Sequence, residues 1–204
     1  MPAIQIASFP ASDAFLEALA SDPEKIKAPL TGLLAAKGHT GSFFGLQVEN
    51  GKTVYFVSVW ESLEAHQAFT KDPNYGELIE KIKPAAAGPM ERHHIDIKAD
   101  AGTALASPAT EFVVFTLKAG GTADKLVPLL EELGKGLDIA AGAHAPCVWG
   151  QCVEDKTKFL LIVGWDTVAA HWEAVKEGTD LHKTVGKILA VTDLSIAHSL
   201  LKQG

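Results

Sequence analysis

Trp60-Glu61-Ser62-Leu63-Glu64-Ala65-His66 and Trp165-Asp166-Thr167-Val168-Ala169-Ala170-His171 are two copies of one pattern, 105 positions apart. The same offset carries His39 to His144, Gly45 to Gly150 and Val48-Glu49 to Val153-Glu154 without a gap. Most neighbouring positions exchange like for like, as Asn50 does for Asp155 and Val57 for Ile162. A repeat of about 100 residues is the size of one small domain, so a chain of 204 residues is read as a tandem duplication.

Around each copy the order of elements is the same. Alternating apolar residues from Ala3 to Phe9 predict a strand, followed by a helical stretch interrupted near Pro23 and Pro29 and ending near Lys37-Gly38. Ser42–Glu49 and Thr53–Trp60 then flank Asn50-Gly51-Lys52, and Asn-Gly favours a tight hairpin because both residues tolerate positive φ. Ser62 is the expected N-cap of a helix running to about Lys83, with a break at Asp72-Pro73. A last strand covers roughly Met90 to Lys98.

The second copy gives strands at Glu111–Leu117, Cys147–Val153, Lys158–Trp165 and Leu194–Leu201, with helices from Ala123 to about Ala141 and from Thr167. The segment 99–110 is small, weakly apolar and aperiodic, and reads as a linker between repeats at 1–98 and 111–204. The βαββαβ order predicts an α+β fold of two tandem ferredoxin-like units. Strands such as 54–60 and 159–165 are apolar on both faces, so the second face of each sheet must be covered. The economical expectation is a pseudo-twofold α+β barrel within one chain, with a homodimer of whole chains left open.

Composition narrows the function. An apolar fraction of 47% with 21% charged residues is that of an ordinary globular chain, and no apolar run approaches the roughly 20 residues of a bilayer span. A net charge of -7 with no basic block argues against nucleic acid and anionic lipid as partners. The first residues lack the pattern of a secretory signal, so a cytoplasmic protein is expected. Cys147 and Cys152 lie an odd number of positions apart on one apparent strand and point to opposite faces, which prevents them from pairing. With no Cys-x-x-Cys, His-Glu-x-x-His, Gly-x-Ser-x-Gly or Gly-x-Gly-x-x-Gly pattern, neither a metal site nor a nucleotide cofactor is expected.

The strand ending Val59-Trp60-Glu61-Ser62 and the helix opening Leu63-Glu64-Ala65-His66-Gln67-Ala68-Phe69 resemble the dimeric α+β barrel superfamily. Within it they resemble the domains of the antibiotic-biosynthesis-monooxygenase (ABM) type, and residues 164–171 resemble the same motif more loosely. The resemblance implies a small hydrophobic or aromatic ligand, and a superfamily that spans cofactor-free oxygenases, cyclases, haem-binding enzymes and proteins without known activity. It does not imply haem degradation, because the position of the iron-binding histidine in those relatives holds Thr70 and Val175 here.

Candidate chemistry rests on histidines. Six of eight pair at the repeat offset: His39 with His144, His66 with His171, and His93 with His198. His66 and His171 lie on apolar helix stripes, His93 and His198 on apolar strand faces, and His94 beside His93 has Ser199 as its offset counterpart. Two readings stand: imidazoles packed for structure, or neutral imidazoles at a pocket, where a pKa near neutrality suits acid/base work. On the second reading His66, His93 and His94 are the catalytic candidates, with His171 and His198 as counterparts. Phe44, Tyr55, Trp60, Trp149 and Trp165 would line a hydrophobic pocket. The first repeat keeps more polar side chains, so the working site is expected there, with Trp149 and Trp172 filling its counterpart. The leading functional expectation is cofactor-independent oxygenation or cyclisation of an aromatic or polyketide-like compound. A non-catalytic ligand-binding or structural protein and a haem-binding protein are the alternatives.

Overall fold

Ser12 and Ser62 show how local chemistry starts the elements. The Ser12 hydroxyl accepts the Phe15 N–H at 3.1 Å and opens α1 (Asp13–Ser21), and Ser62 accepts the Ala65 N–H at 3.2 Å to open α4 (Leu63–Phe69). The computed structural model describes residues 1–22, 24–27 and 30–204. The interruptions expected at Pro23 and Pro29 lie outside those residues.

The first compact unit comprises Met1–Asp96 with Lys202–Gly204. In chain order it holds β1 (Ala3–Pro10), α1, α2 (Glu24–Lys27), α3 (Thr31–Leu34), β2 (His39–Leu46), β3 (Thr53–Trp60), α4, α5 (Tyr75–Ile82) and β4 (Glu91–Asp96). The second unit, Ile97–Leu201, holds α6 (Gly102–Leu105), β5 (Ala109–Leu117), α7 (Ala123–Leu137), β6 (Ala143–Gln151), β7 (Lys158–Trp165), α8 (Val168–Ala174), α9 (Asp180–Leu189) and β8 (Thr192–Ser199). The chain's last strand, β9 (Lys202–Gln203), pairs with β2 and so extends the first unit's sheet.

Both sheets are antiparallel, ordered β4-β1-β3-β2-β9 and β6-β7-β5-β8. With outer strands flanking two central ones and helices between strands, each unit is ferredoxin-like. The hairpin at Asn50 forms as its residues dictate: Asn50 Oδ1 accepts the Lys52 and Thr53 N–H groups at 2.8 and 3.0 Å, and Gly51 takes φ 62°. The helix expected to run from Ser62 is broken, with α4 ending at Phe69 and Asp72 Oδ1 accepting the Asn74 N–H at 2.8 Å ahead of α5.

Register sorts the side chains. On β3, Val54, Phe56, Ser58 and Trp60 share one face with Phe9, Ala7, Gln5 and Ala3 of β1, while Tyr55, Val57 and Val59 share the other with Ser8, Ile6 and Ile4. Phe9, Phe15 and Val54 form one small core, and Leu33, Trp60 and Leu78 another, placing helices against the first face. The second face is equally dry: Ile4, Ile6, Val57 and Ile95 are buried, as are Phe112, Leu160 and Ile162 in the second unit.

The segment 99–110 is not a free linker. Ala101, Ala104 and Leu105 are fully buried, α6 lies on β6 and β7, and β5 has begun by Ala109. Gly164 makes this approach feasible, since a Cβ there would stand 2.9 Å from the Ala104 Cα and against the Ser107 hydroxyl. The small apolar residues that looked aperiodic are those that let a short helix lie flat on a sheet.

Candidate active site

Each unit places a histidine from the helix after its hairpin against a histidine from its last strand. In the first unit His66 Nδ1 lies 3.0 Å from His94 Nε2, and in the second His171 Nδ1 lies 2.9 Å from His198 Nε2. The conserved register behind this is not a constant offset. Ala3 and Ala109 face Trp60 and Trp165, Gln5 and Glu111 face Ser58 and Val163, and these same two β1 and β5 residues face His94 and His198. The counterpart of His198 is therefore His94 and not His93. A one-residue difference in spacing before the last strand moves the true pair off the repeat offset, and in a strand one residue is a change of face. His93 shares the face of Ile95, away from His66 and His94. His39 and His144 are likewise no register pair, because Ala143 takes the place opposite Trp165 that His39 takes opposite Trp60. His39 Nε2 meets Ser42 Oγ at 2.7 Å, and His144 Nε2 meets Asp166 Oδ1 at 2.8 Å.

The two histidine pairs differ in what stands beside them. In the second unit Trp165 Nε1–H donates to Glu111 Oε2 at 2.8 Å, and the other carboxylate oxygen is 3.3 Å from His171 Nε2. One tautomer makes these contacts a continuous chain, with His198 Nε2–H donating to His171 Nδ1 and His171 Nε2–H to Glu111. Glu111, His171 and His198 are 4%, 2% and 0% exposed, and Trp172 stacks on His171 with ring centroids 4.4 Å apart. Burial pushes the Glu111 carboxyl up to about 7, against the opposing pull of the Trp165 hydrogen bond. These three side chains are a donor set for a metal, with their ligand atoms within 4.8 Å of one another. Their pairing with each other satisfies the same atoms.

In the first unit Gln5 replaces the carboxylate. Trp60 Nε1–H donates to Ser58 Oγ at 2.9 Å, and the Ser58 hydroxyl donates to Gln5 Oε1 at 3.2 Å. Trp60 still packs against His66, with ring centroids 4.8 Å apart. Here the histidine opens onto space. A cavity of about 230 Å³ lies between the helices and the first face of the sheet, walled by Phe9, Phe15, Leu33, Phe44, Phe56 and Leu78, with Gln5 and His66 on its lining. Lys25, Lys81 and Arg92 also line it.

Of the aromatic residues expected to form a pocket, Phe44 lines this cavity. Trp60 is buried in the core behind His66, and Tyr55 is on the opposite sheet face. Trp149 and Trp165 belong to the second unit's core around α7. Sequence reasoning missed Glu111, although an acid alternating with Val113 and Phe115 on an apolar strand was a legible signal of a buried, partnered carboxyl. It also missed the three cations, which come from three separate elements and line one cavity only in the fold.

The fold and these paired sites define a tandem ferredoxin-like α+β protein with a small-molecule cavity in its first unit. Residues 10–81 match the antibiotic biosynthesis monooxygenase family, so the first unit carries an ABM domain, and the second unit repeats its fold. A candidate monooxygenase from Fusobacterium nucleatum has a similar fold at 12% identity and a TM-score of 0.74, over 99% of this chain and 93% of that one. An anthrone oxidase-like protein is similar at 14% identity and a TM-score of 0.71, over 99% and 92% of the two chains. A candidate monooxygenase from Lactobacillus acidophilus matches at 12% identity and a TM-score of 0.69, over 100% and 95%. At these identities the likeness is one of fold. No curated protein sequence matches the chain. Among the described residues no helix is long and apolar enough to cross a membrane.

Proposed function

We propose that the protein is a small-molecule enzyme of the ABM type, working without a cofactor in the first unit's cavity, with His66 as general base. The observation that carries this is the position of His66, paired with His94 at 3.0 Å, on the wall of a largely apolar cavity in the first unit, whose residues 10–81 match the ABM family. In the tautomer that makes His66 a base, its Nδ1–H donates to His94 Nε2 and its Nε2 lone pair takes the substrate proton. His94 is half-buried rather than sealed, so it can both orient the ring and pass charge toward solvent. The apolar wall keeps water from the resulting carbanion. For an activated CH₂ group the balance with oxygen is CH₂ + O₂ → C=O + H₂O, which needs no external reductant. Cyclisation would use the same proton transfer.

A cavity of about 230 Å³ is smaller than the roughly 300–1,000 Å³ of drug-sized sites, which favours one to three fused rings. The chemistry proposed runs on protein groups. In the second unit the corresponding pair is closed off by Trp172 and held by Glu111, and we read it as a structural copy.

Anthrone, an acidic CH₂ between two aromatic rings, is a suitable probe, followed by oxygen uptake and quinone absorbance. His66→Gln should lower turnover by roughly 10²-fold or more while leaving the unfolding temperature close to the parent's. A His66→Gln protein that turns over like the parent refutes the assignment. A parent no faster than spontaneous oxidation turns the reading toward a binding protein.

A further inference from the structure

We propose that the ligand of the first-unit cavity is an anion: a small fused-ring compound carrying one carboxylate or ionised phenol, with its charge on the cations of the cavity lining, Lys25, Lys81 and Arg92, and its rings against Phe44 and Phe56. This rests on the reading of that cavity as the small-molecule site. The chain is acidic overall, with 25 Asp and Glu against 18 Lys and Arg, yet every charged residue lining the cavity is a cation. The three come from α2, α5 and β4, so no single element's sequence bias explains their meeting.

They are also distinct from the lysines beside them. Lys27 is paired with Glu24 at 3.3 Å and Lys83 with Glu80 at 3.6 Å, each within one helical turn. Among the described residues, no carboxylate forms a salt bridge with Lys25, Lys81 or Arg92, and the Arg92 Nε–H is directed to the Met90 sulfur at 3.2 Å. All three are exposed, so they stand where the cavity meets solvent, while His66 and Leu78 are buried. A ligand held by its charge on these exposed side chains has its apolar body directed inward, toward the buried imidazole. Unpaired cations at the edge of a low-dielectric cavity attract an anion more strongly than the same cations on an open surface.

The test is isothermal titration calorimetry with 2-naphthoate and the neutral 2-naphthamide, which share a ring system and differ in charge. Naphthoate should bind at least 10-fold more tightly, and raising salt from 20 to 300 mM should weaken naphthoate alone. The exposed double change Arg92→Gln and Lys81→Gln should remove the preference and leave naphthamide binding unchanged. Equal affinities for the two compounds, or a preference that survives the double change, would overturn the inference while leaving the cavity as a ligand site. If neither compound binds, and Ala7→Phe, which fills the cavity, leaves anthrone turnover intact, then the charge assignment and the site both fall.

Discussion

Replacing Glu111 by Gln tests whether the buried Trp–Glu–His–His network is a charged or a neutral device. Gln is the residue the first unit already uses at this register position, in Gln5, so the shape is tolerated on the same scaffold. The carboxyl is 4% exposed, and burial lifts it from an ordinary value of 4.5 to about 7. Because folding raises this pKa, the folded chain keeps a proton over a window in which the unfolded chain has lost it. Its contribution to stability is fully present below about pH 4.5 and is lost as pH rises to about 7. At about 1.4 kcal/mol per pKa unit, the whole swing is about 3 kcal/mol. Most of that falls between pH 5 and pH 8.5. Urea unfolding of parent and Glu111→Gln across that range, followed by tryptophan fluorescence, reads it out, since three of the four tryptophans are in the second unit. The difference in unfolding free energy should move in favour of the variant by about 2–3 kcal/mol as pH rises. A difference independent of pH, or one moving toward the parent, would refute the reasoning: it would mean that Glu111 stays ionised against a protonated His171, a pair that Gln cannot replace.

Gly164→Ala should cost about 1–3 kcal/mol in unfolding experiments, because the added methyl group drives α6 off the sheet at Ala104 and Ser107. Tyr55 titrates near 12, raised first by burial and then by Glu49 and Glu91, so absorbance at 295 nm should show one of the two tyrosines still unionised at pH 11. Purified protein supplied with haem should develop no tight stoichiometric Soret complex, in keeping with a cavity of about 230 Å³.

Much of the architecture could be read from residues. Periodicity located the strands, Asn50-Gly51 the first hairpin, and Ser62 and Thr167 the helix starts, because each depends on neighbours a few positions away. The candidate site is legible in part: His66 and His171 share the repeat offset because the hairpin and the helix after it keep one spacing, whereas His198 corresponds to His94 and not to His93 because the last strand shifts by one residue. Lys202–Gln203 joining the first unit's sheet, and α6 folding onto the second, depend on space left by distant residues, which no local pattern encodes.

Sequence alone therefore determined the duplication, the element order and a histidine after each Trp-containing strand, since these are set by spacing along the chain. Only the tertiary structure decided which histidines meet, that Gln5 and Glu111 divide the two copies between an open and a sealed network, and that three cations from separate elements share one cavity. Strand register is fixed by packing across the sheet, and a single residue of shift exchanges its two faces.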